Sequence, residues 1–492
     1  MFDFQLSTLL GFVSIINILL AIIVIFLERR NVSATWAWLL ILYFTPILGF
    51  ILYIIFGQNL SRRRIFKWDK QVQPYIKQAV RTQMEQLETN PAQFQSSIIE
   101  EYRDLIYMNL NHDEAPLTQN NEVQILTDGQ QKFDLLLKDI ESAKEHIHML
   151  YYIIRSDELG EKIAQALMKK AKEGVEVRLL YDDRGSRKLT RSFIHKLRQS
   201  GALLEPFFPA KIPFLNLRIN YRNHRKLVII DGRIGYIGGF NIGNEYLGLH
   251  PKFGYWRDTH LKIIGDSVNN IQSRFMLDWN QASKQKVAFM DYYYFSKKTY
   301  GDTGVQIVST GPDTEWEKIK NGLIKTILSA KKYVYLQTPY FIPDDSFLEA
   351  LRIASLSGVD VRVMIPNKPD HPFVYWATYS YAGELLKAGA KIYIYQHGFL
   401  HAKTIVADGK VASVGTTNID VRSFRLNFEV NAFLYHSDTA EQLTAIFEED
   451  VLHSTELTPA LYMQRSFYIR LKESVSRSSL RFCRKQKPAR LF

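Results

Sequence analysis

Apolar positions follow two different patterns along the chain. At the start they are continuous. Residues 4–27 (FQLSTLLGFVSIINILLAIIVIFL) are 24 positions without a charge, and a second run centred on 34–56 follows Glu28, Arg29 and Arg30. About 20 apolar residues suffice for a helix to span a bilayer, so the pattern predicts two spans, 4–27 and 34–56, forming a hairpin within residues 1–60. Trp36, Trp38, Tyr43 and Tyr53 suit the membrane interface, and Pro46 and Gly49 are tolerated inside a span. A cleaved signal peptide is the competing reading. It lacks a basic n-region here, the run is too long, and a second run follows at once. Residues 61–118 are polar with a mostly helical pattern and are read as a basic linker with accessory helices. Beyond them, short and nearly unbroken apolar runs alternate with helical patterns. The runs are HIHMLYYI, EVRLLYD and KLVIID, then YVYLQTPY, VRVMIP and KTIVAD. Such runs suggest strands buried on both faces, and their alternation with helices predicts an α/β fold.

The second pattern occurs twice. EVQIL (122–126) matches GVQIV (304–308), and ESAKEHIHMLYYI (141–153) matches LSAKKYVYLQTPY (328–340). GVEVRLLYD (174–182) matches GVDVRVMIP (358–366), and LRQSGA (197–202) matches LLKAGA (385–390). HLKIIGDSVNNIQSRFMLDW (260–279) matches AFLYHSDTAEQLTAIFEEDV (432–451), with Asp278 and Asp450 in register. Internal repetition of this kind marks a duplicated architecture. The chain therefore divides into a first half, 119–300, a second half, 301–455, and a basic tail, 456–492. Two halves from one chain are expected to pack about a pseudo-twofold axis, which sets equivalent residues opposite each other.

Composition narrows the partners. The 62 Lys and Arg residues outnumber the 50 Asp and Glu residues, giving a net charge of +12 that favours anionic partners without choosing among them. The one cysteine, Cys483, excludes an intramolecular disulfide and a cysteine-based zinc site. Arg62, Arg63, Arg64, Lys67 and Lys70 follow the second apolar run, against Arg29 and Arg30 between the runs. The positive-inside bias then places the large C-terminal part in the cytoplasm, with the basic stretch on an anionic leaflet.

The candidate chemistry lies in NHRKLVIIDGR (223–233, within 218–245) and LHAKTIVADGK (400–410, within 395–422). Strand side chains alternate, so His224 shares a face with Lys226, and His401 with Lys403. Asp231-Gly232 and Asp408-Gly409 read as tight hairpin turns. The returning strands bring Asn241 and Asn418 back as candidate substrate-binding amides. Two histidines, two lysines and two amides suit a tetrahedral anion. One histidine can attack phosphorus while the other protonates the leaving alkoxide, and the lysines neutralise phosphoryl charge with no metal or other cofactor required. Asp258 and Glu429 could orient the histidines through the second ring nitrogen. Asp231 and Asp408 admit two readings, turn residue or direct electrostatic role.

HRKLVIIDGRIGYIGGFN and HAKTIVADGKVASVGTTN resemble the paired H-x-K-x4-D-x6-G motifs of the phospholipase D superfamily, over about residues 120–450. Gly239 stands where that family often has Ser, and Thr416 at the matching place. The resemblance implies duplicated phospholipase D-like α-β-α sandwich halves, a metal-independent phosphohistidine intermediate, and His224, Lys226, Asp231, His401, Lys403 and Asp408 as catalytic residues. ERRNVSATWAWLLILYFTPILGFILYIIFGQ, with YYIIRSDELG, YRNHRK, QTPYFIPDD, NKPDH and HGFLHAKT, is similar to bacterial cardiolipin synthases of the phospholipase D type. That implies a multi-pass enzyme of the bacterial cell membrane that joins two phosphatidylglycerol molecules into cardiolipin and releases glycerol, with no nucleic-acid partner. Which histidine attacks is open on sequence; analogy favours His224. Hydrolysis to phosphatidic acid and a tethered nuclease use the same motifs and remain the alternatives. SLRFCRKQKPARLF departs from the apolar C-terminus common in the family.

Overall fold

A computed structural model of the chain describes residues 8, 11–12, 15–23, 32–45, 48–49, 52–53, 65–89, 96–209, 220–368 and 372–483. Among the described residues no helix is long and apolar enough to cross a membrane. The expected spans 4–27 and 34–56 lie partly outside the described residues, as do Arg62, Arg63, Arg64 and the tail beyond Cys483. What is described of the two apolar runs packs together. Trp38 and Leu42, on the helix Val32–Phe44, are buried against Leu20 of the first run and against Leu52 and Tyr53.

The first half contains β1 (Asn121–Leu126), β2 (His146–Tyr151), β3 (Glu176–Asp182), β4 (Leu203–Phe207), β5 (Arg222–Asn223), β6 (Leu227–Ile230), β7 (Ile234–Gly238), β8 (Trp256–Arg257) and β9 (His260–Gly265). The second contains β10 (Gly304–Thr310), β11 (Tyr333–Gln337), β12 (Phe341–Ile342), β13 (Asp360–Pro366), β14 (Lys391–Tyr395), β15 (Phe399–Leu400), β16 (Thr404–Ala407), β17 (Val411–Gly415), β18 (Ile419–Asp420), β19 (Asn427–Tyr435) and β20 (Ser454–Glu456). The sheets have the same plan: β1-β9-β7-β6-β2-β3-β4 and β10-β19-β17-β16-β11-β13-β14, the latter extended by β20. Both are mixed. The β2-β3-β4 and β11-β13-β14 strands are parallel with helical crossovers, and the strands on the motif side are antiparallel. The apolar runs read as buried strands are buried throughout in β2, β6 and β16. Strands β4 and β14, and β9 and β19, complete the sheets beyond the runs read from sequence.

A central apolar layer lies between the sheets. Side chains of both halves meet there, with Phe275 and Trp279 from the helix Val268–Ala282 and Leu443 and Phe447 from the helix Ser437–Leu452. The accessory helices Gln73–Thr89 and Arg103–Asp113 dock on the second half. Leu87, Tyr102, Ile106 and Leu110 enter its core, and the amide of Gln306 donates to the carbonyls of Ile106 and Ala115 at 3.2 and 2.9 Å.

The halves are also stitched by backbone. β5 pairs in parallel with β19, and β8 with β15. The two ladders are equivalent under exchange of the halves, and each leads straight into a motif histidine.

Candidate active site

His224 and His401 do not sit within regular strand. Residues 224–226 and 401–403 bridge from a short strand paired with the other half (β5, β15) to a core strand (β6, β16). His224 N donates to Phe428 O at 2.9 Å and His401 N to Arg257 O at 2.7 Å, so each histidine is anchored to the opposite half by its own backbone. Each lysine still shares its histidine's face. Lys226 Nζ donates to His224 O at 2.5 Å, and Lys403 Nζ lies 2.9 Å from His401 Nδ1 and donates to His401 O.

The carboxylates cross over. His224 Nδ1 lies 2.9 Å from Glu429 Oε2, and His401 Nδ1 lies 2.5 Å from Asp258 Oδ2. A carboxylate accepting from Nδ1–H fixes the tautomer and leaves the Nε2 lone pair available. Gly238 pairs with His260 while Gly415 pairs with Asn431, so Asp258 and Glu429, each two residues earlier, are equivalent positions. Thr416 and Gly239 serve them differently. Thr416 Oγ1 donates to Glu429 Oε2 at 2.6 Å. At Gly239 a Cβ would lie 1.9 Å from Asp258 Oδ1, so the missing side chain is what admits that carboxylate; its other polar contact is Thr259 N at 2.8 Å.

Burial dominates the electrostatics. It pushes His401 down to about 4, helped by Lys403 and opposed by Asp258. It also lowers His224, with Glu429 opposing and Lys226 adding to the shift. Lys226 falls to about 7, through burial first, while Glu429 partly restores it and Lys403 depresses it further. Burial opposes ionisation of Asp258, yet Lys403 and then His401 hold it at about 2. Glu429 is likewise held down, against burial, chiefly by His224. The site is a dry cluster of cations and carboxylates whose histidines are poised neutral.

Asp231 and Asp408 take up the turn positions that the sequence reading left open for them. Asp231 and Asp408, assigned as catalytic by family resemblance, lie at the far ends of β6 and β16, about 16 Å of strand from the lysines. Each occupies a left-handed turn position (φ 52° and 54°) followed by a glycine that is also left-handed. Each carboxylate accepts three backbone N–H groups: Lys144, Glu145 and His146 for Asp231, and Lys331, Lys332 and Tyr333 for Asp408, all at 2.8–2.9 Å. They pin the hairpin to the start of β2 or β11. Asn241 is likewise consumed by the fold, accepting from Ile153 N at 3.0 Å and donating to Tyr246 Oη at 3.2 Å. Asn418 is buried, and its Oδ1 has no hydrogen-bond partner among the described residues, so it keeps capacity for a ligand.

The aromatic walls had no comparable signal in the sequence pattern. The Tyr152 ring meets His224 edge-on at 4.9 Å, while Trp256 and Phe399 lie 5.1 and 6.0 Å from His401. Two buried ion pairs brace the same region. Arg225 binds both oxygens of Asp278 (2.7 and 3.0 Å) and the carbonyls of Glu429 and Thr310, and Arg257 reaches across to Asp450. The in-register pair Asp278 and Asp450 thus anchors Arg225, next to His224, and Arg257, whose carbonyl accepts from His401 N.

A duplicated α/β fold that presents two histidine–lysine pairs across a twofold seam defines a phospholipase D-like enzyme. Residues 136–279 and 323–451 match the family described as cardiolipin synthase, phospholipase D-like domain, and residues 15–58 match the phospholipase D-nuclease N-terminal family. The chain is 58% identical over 471 residues to a cardiolipin synthase of Oceanobacillus iheyensis, covering 96% of this chain and 98% of the relative. It is 58% identical over 472 residues to the major cardiolipin synthase of Bacillus subtilis, with the same coverage. A crystal structure of phosphatidylserine synthase from Haemophilus influenzae shares the fold at a TM-score of 0.59 and 14% identity, over 79% of this chain and 98% of that one. The chain belongs to the cardiolipin synthases of the phospholipase D superfamily.

Proposed function

We propose that the protein joins two phosphatidylglycerol molecules into cardiolipin, with release of glycerol, through a phosphohistidine. His224 Nε2 attacks phosphorus of the first lipid. The bond from phosphorus to the glycerol head-group oxygen breaks, and His401 protonates that oxygen. The head-group hydroxyl of a second phosphatidylglycerol, deprotonated by His401, then attacks phosphorus, and the nitrogen–phosphorus bond breaks. Lys226 and Lys403 neutralise the phosphoryl oxygens throughout. An anionic phosphodiester between the histidines acts against the burial and lysine fields that depress them, so substrate binding itself favours protonation of the acid.

The observation that carries this reading is the crossed bracing of His224 by Glu429 and of His401 by Asp258. The lipid assignment is supported by full-length likeness to proteins named cardiolipin synthase. We also read 4–27 and 34–56 as two spans, with the two halves on the cytoplasmic side. This is supported by the uncharged runs, the basic residues 62–70 and the family match over 15–58.

The test is product identification by mass spectrometry after incubation of the full-length protein with phosphatidylglycerol vesicles. Cardiolipin and glycerol in equal amounts are expected; phosphatidic acid as the main product would replace transfer by hydrolysis. His224→Ala and His401→Ala are each expected to abolish turnover, and full activity in either would refute the two-histidine scheme.

A further inference from the structure

Residues 183–191 (DRGSRKLTR) join β3 to the helix Arg191–Gln199 and hold four basic side chains against one acid. Arg184, Arg187, Lys188 and Arg191 are exposed, and their side chains have no ion-pair partner among the described residues. On the preceding helix Lys162 pairs with Glu158, while the exposed Lys169 and Lys172 at its far end are spread along the helix and not gathered on one loop.

The loop is rigidly mounted beside the site. Asp182, fully buried at its root, accepts from Arg184 N and Gly185 N at 3.0 and 2.8 Å, and its other oxygen accepts from Asn223 N at 2.9 Å, one residue before His224. Ser186 Oγ donates to Tyr152 O at 3.1 Å and accepts from Ile154 N at 3.0 Å. A Cβ on Gly185 would lie 2.7 Å from the Tyr152 ring, the ring that flanks His224. The loop also leaves the C-terminal end of a parallel strand, the end where ligands of such sheets bind. One buried carboxylate therefore fixes both the approach to His224 and the turn that displays the cations.

We propose that residues 183–191 form the anion-recruiting rim of the site, with Arg184, Arg187, Lys188 and Arg191 engaging the phosphodiester groups of anionic phospholipid at the bilayer surface. The inference rests on the cardiolipin synthase reading and adds to it the residues that concentrate phosphatidylglycerol at the mouth. The backbone of the loop is already ordered, so binding costs only the ordering of its side chains, and a basic side chain near an anionic leaflet strengthens binding about fivefold.

The test uses the full-length protein in vesicles of phosphatidylcholine with increasing phosphatidylglycerol, reading the mole fraction at half-maximal rate. In the R184Q/R187Q/K188Q/R191Q variant this fraction is expected to rise at least about threefold, with the limiting rate within about a factor of two of the unmodified protein. The R187E/K188E variant is expected to shift it in the same direction, and K169Q/K172Q, which removes charge from the neighbouring helix, to leave it in place. Thermal midpoints equal to the unmodified protein's exclude misfolding. An unchanged half-maximal fraction in both rim variants overturns the inference while leaving cardiolipin formation standing. No cardiolipin from the unmodified protein overturns the underlying reading instead. Inhibition by millimolar inorganic phosphate that both rim variants abolish assigns the rim to free phosphate and overturns the membrane assignment.

Discussion

At the residue scale the two motif aspartates and the two crossing carboxylates have different work: the first pair holds turns, and the second pair contacts the histidines as the sequence reading expects. Asp231 is five residues beyond Lys226 and points its carboxylate at three backbone N–H groups. Asp231→Ala removes the acceptor for all three, at a cost of about 1–3 kcal/mol for each group left buried without a partner, less where water reaches it. The expected outcome is a lower thermal midpoint with kcat preserved in the folded fraction. Asp258 and Glu429 are the opposite case. Asp258→Asn and Glu429→Gln keep shape and burial but remove the charge that raises the histidine each one holds. Each is expected to lower kcat about 10²–10⁴-fold, with KM for phosphatidylglycerol little changed and the fold intact by circular dichroism. The motif aspartates were visible in sequence and their role was not, because one spacing serves a turn and a site equally well.

At the scale of elements the decisive pieces are two-residue strands. β5 and β8 are too short to carry an apolar pattern, so their pairing with β19 and β15 could not be read from the chain. Yet those pairings set β5 and β15, which lead into His224 and His401, at the seam. The buried arginines beside them hold the same joint. Arg225 is pushed down to about 10, by burial first and then Arg274, with Asp278 acting against both. Asp278→Ala strands a buried guanidinium and is expected to cost about 3–5 kcal/mol of stability, measured by denaturant unfolding. Asp278 was picked out in the repeat, in register with Asp450, but its partner in the fold was not.

At the scale of the whole molecule, the interior holds several histidines neutral. Burial lowers His146 to about 4, and His148 and His260 well below their usual value. The His146 and His148 rings meet at a tilt, with centroids 4.6 Å apart, and share Gln272. In the unfolded chain these groups titrate near 6.5 and take up protons that the folded state refuses. Stability from this source is complete above about pH 6.5 and is lost as pH falls toward 4, on the order of 3 kcal/mol for His146 alone. Thermal midpoints measured from pH 7.5 to 4.5 are expected to fall across that window. His146→Gln is expected to flatten the slope.

The sequence alone determined the duplication, the α/β class, the strands with unbroken apolar runs and the paired His-x-Lys motifs. Each is a local or repeating pattern, written in hydropathy period or in residue type at fixed spacing. Only the tertiary structure decided which carboxylate braces which histidine, that Asp231, Asp408 and Asn241 are spent on the fold, and how the accessory helices enter the second core. Those outcomes depend on contacts between residues as far apart as His224 and Glu429, where the geometry of the seam, and not chain spacing, sets the partner.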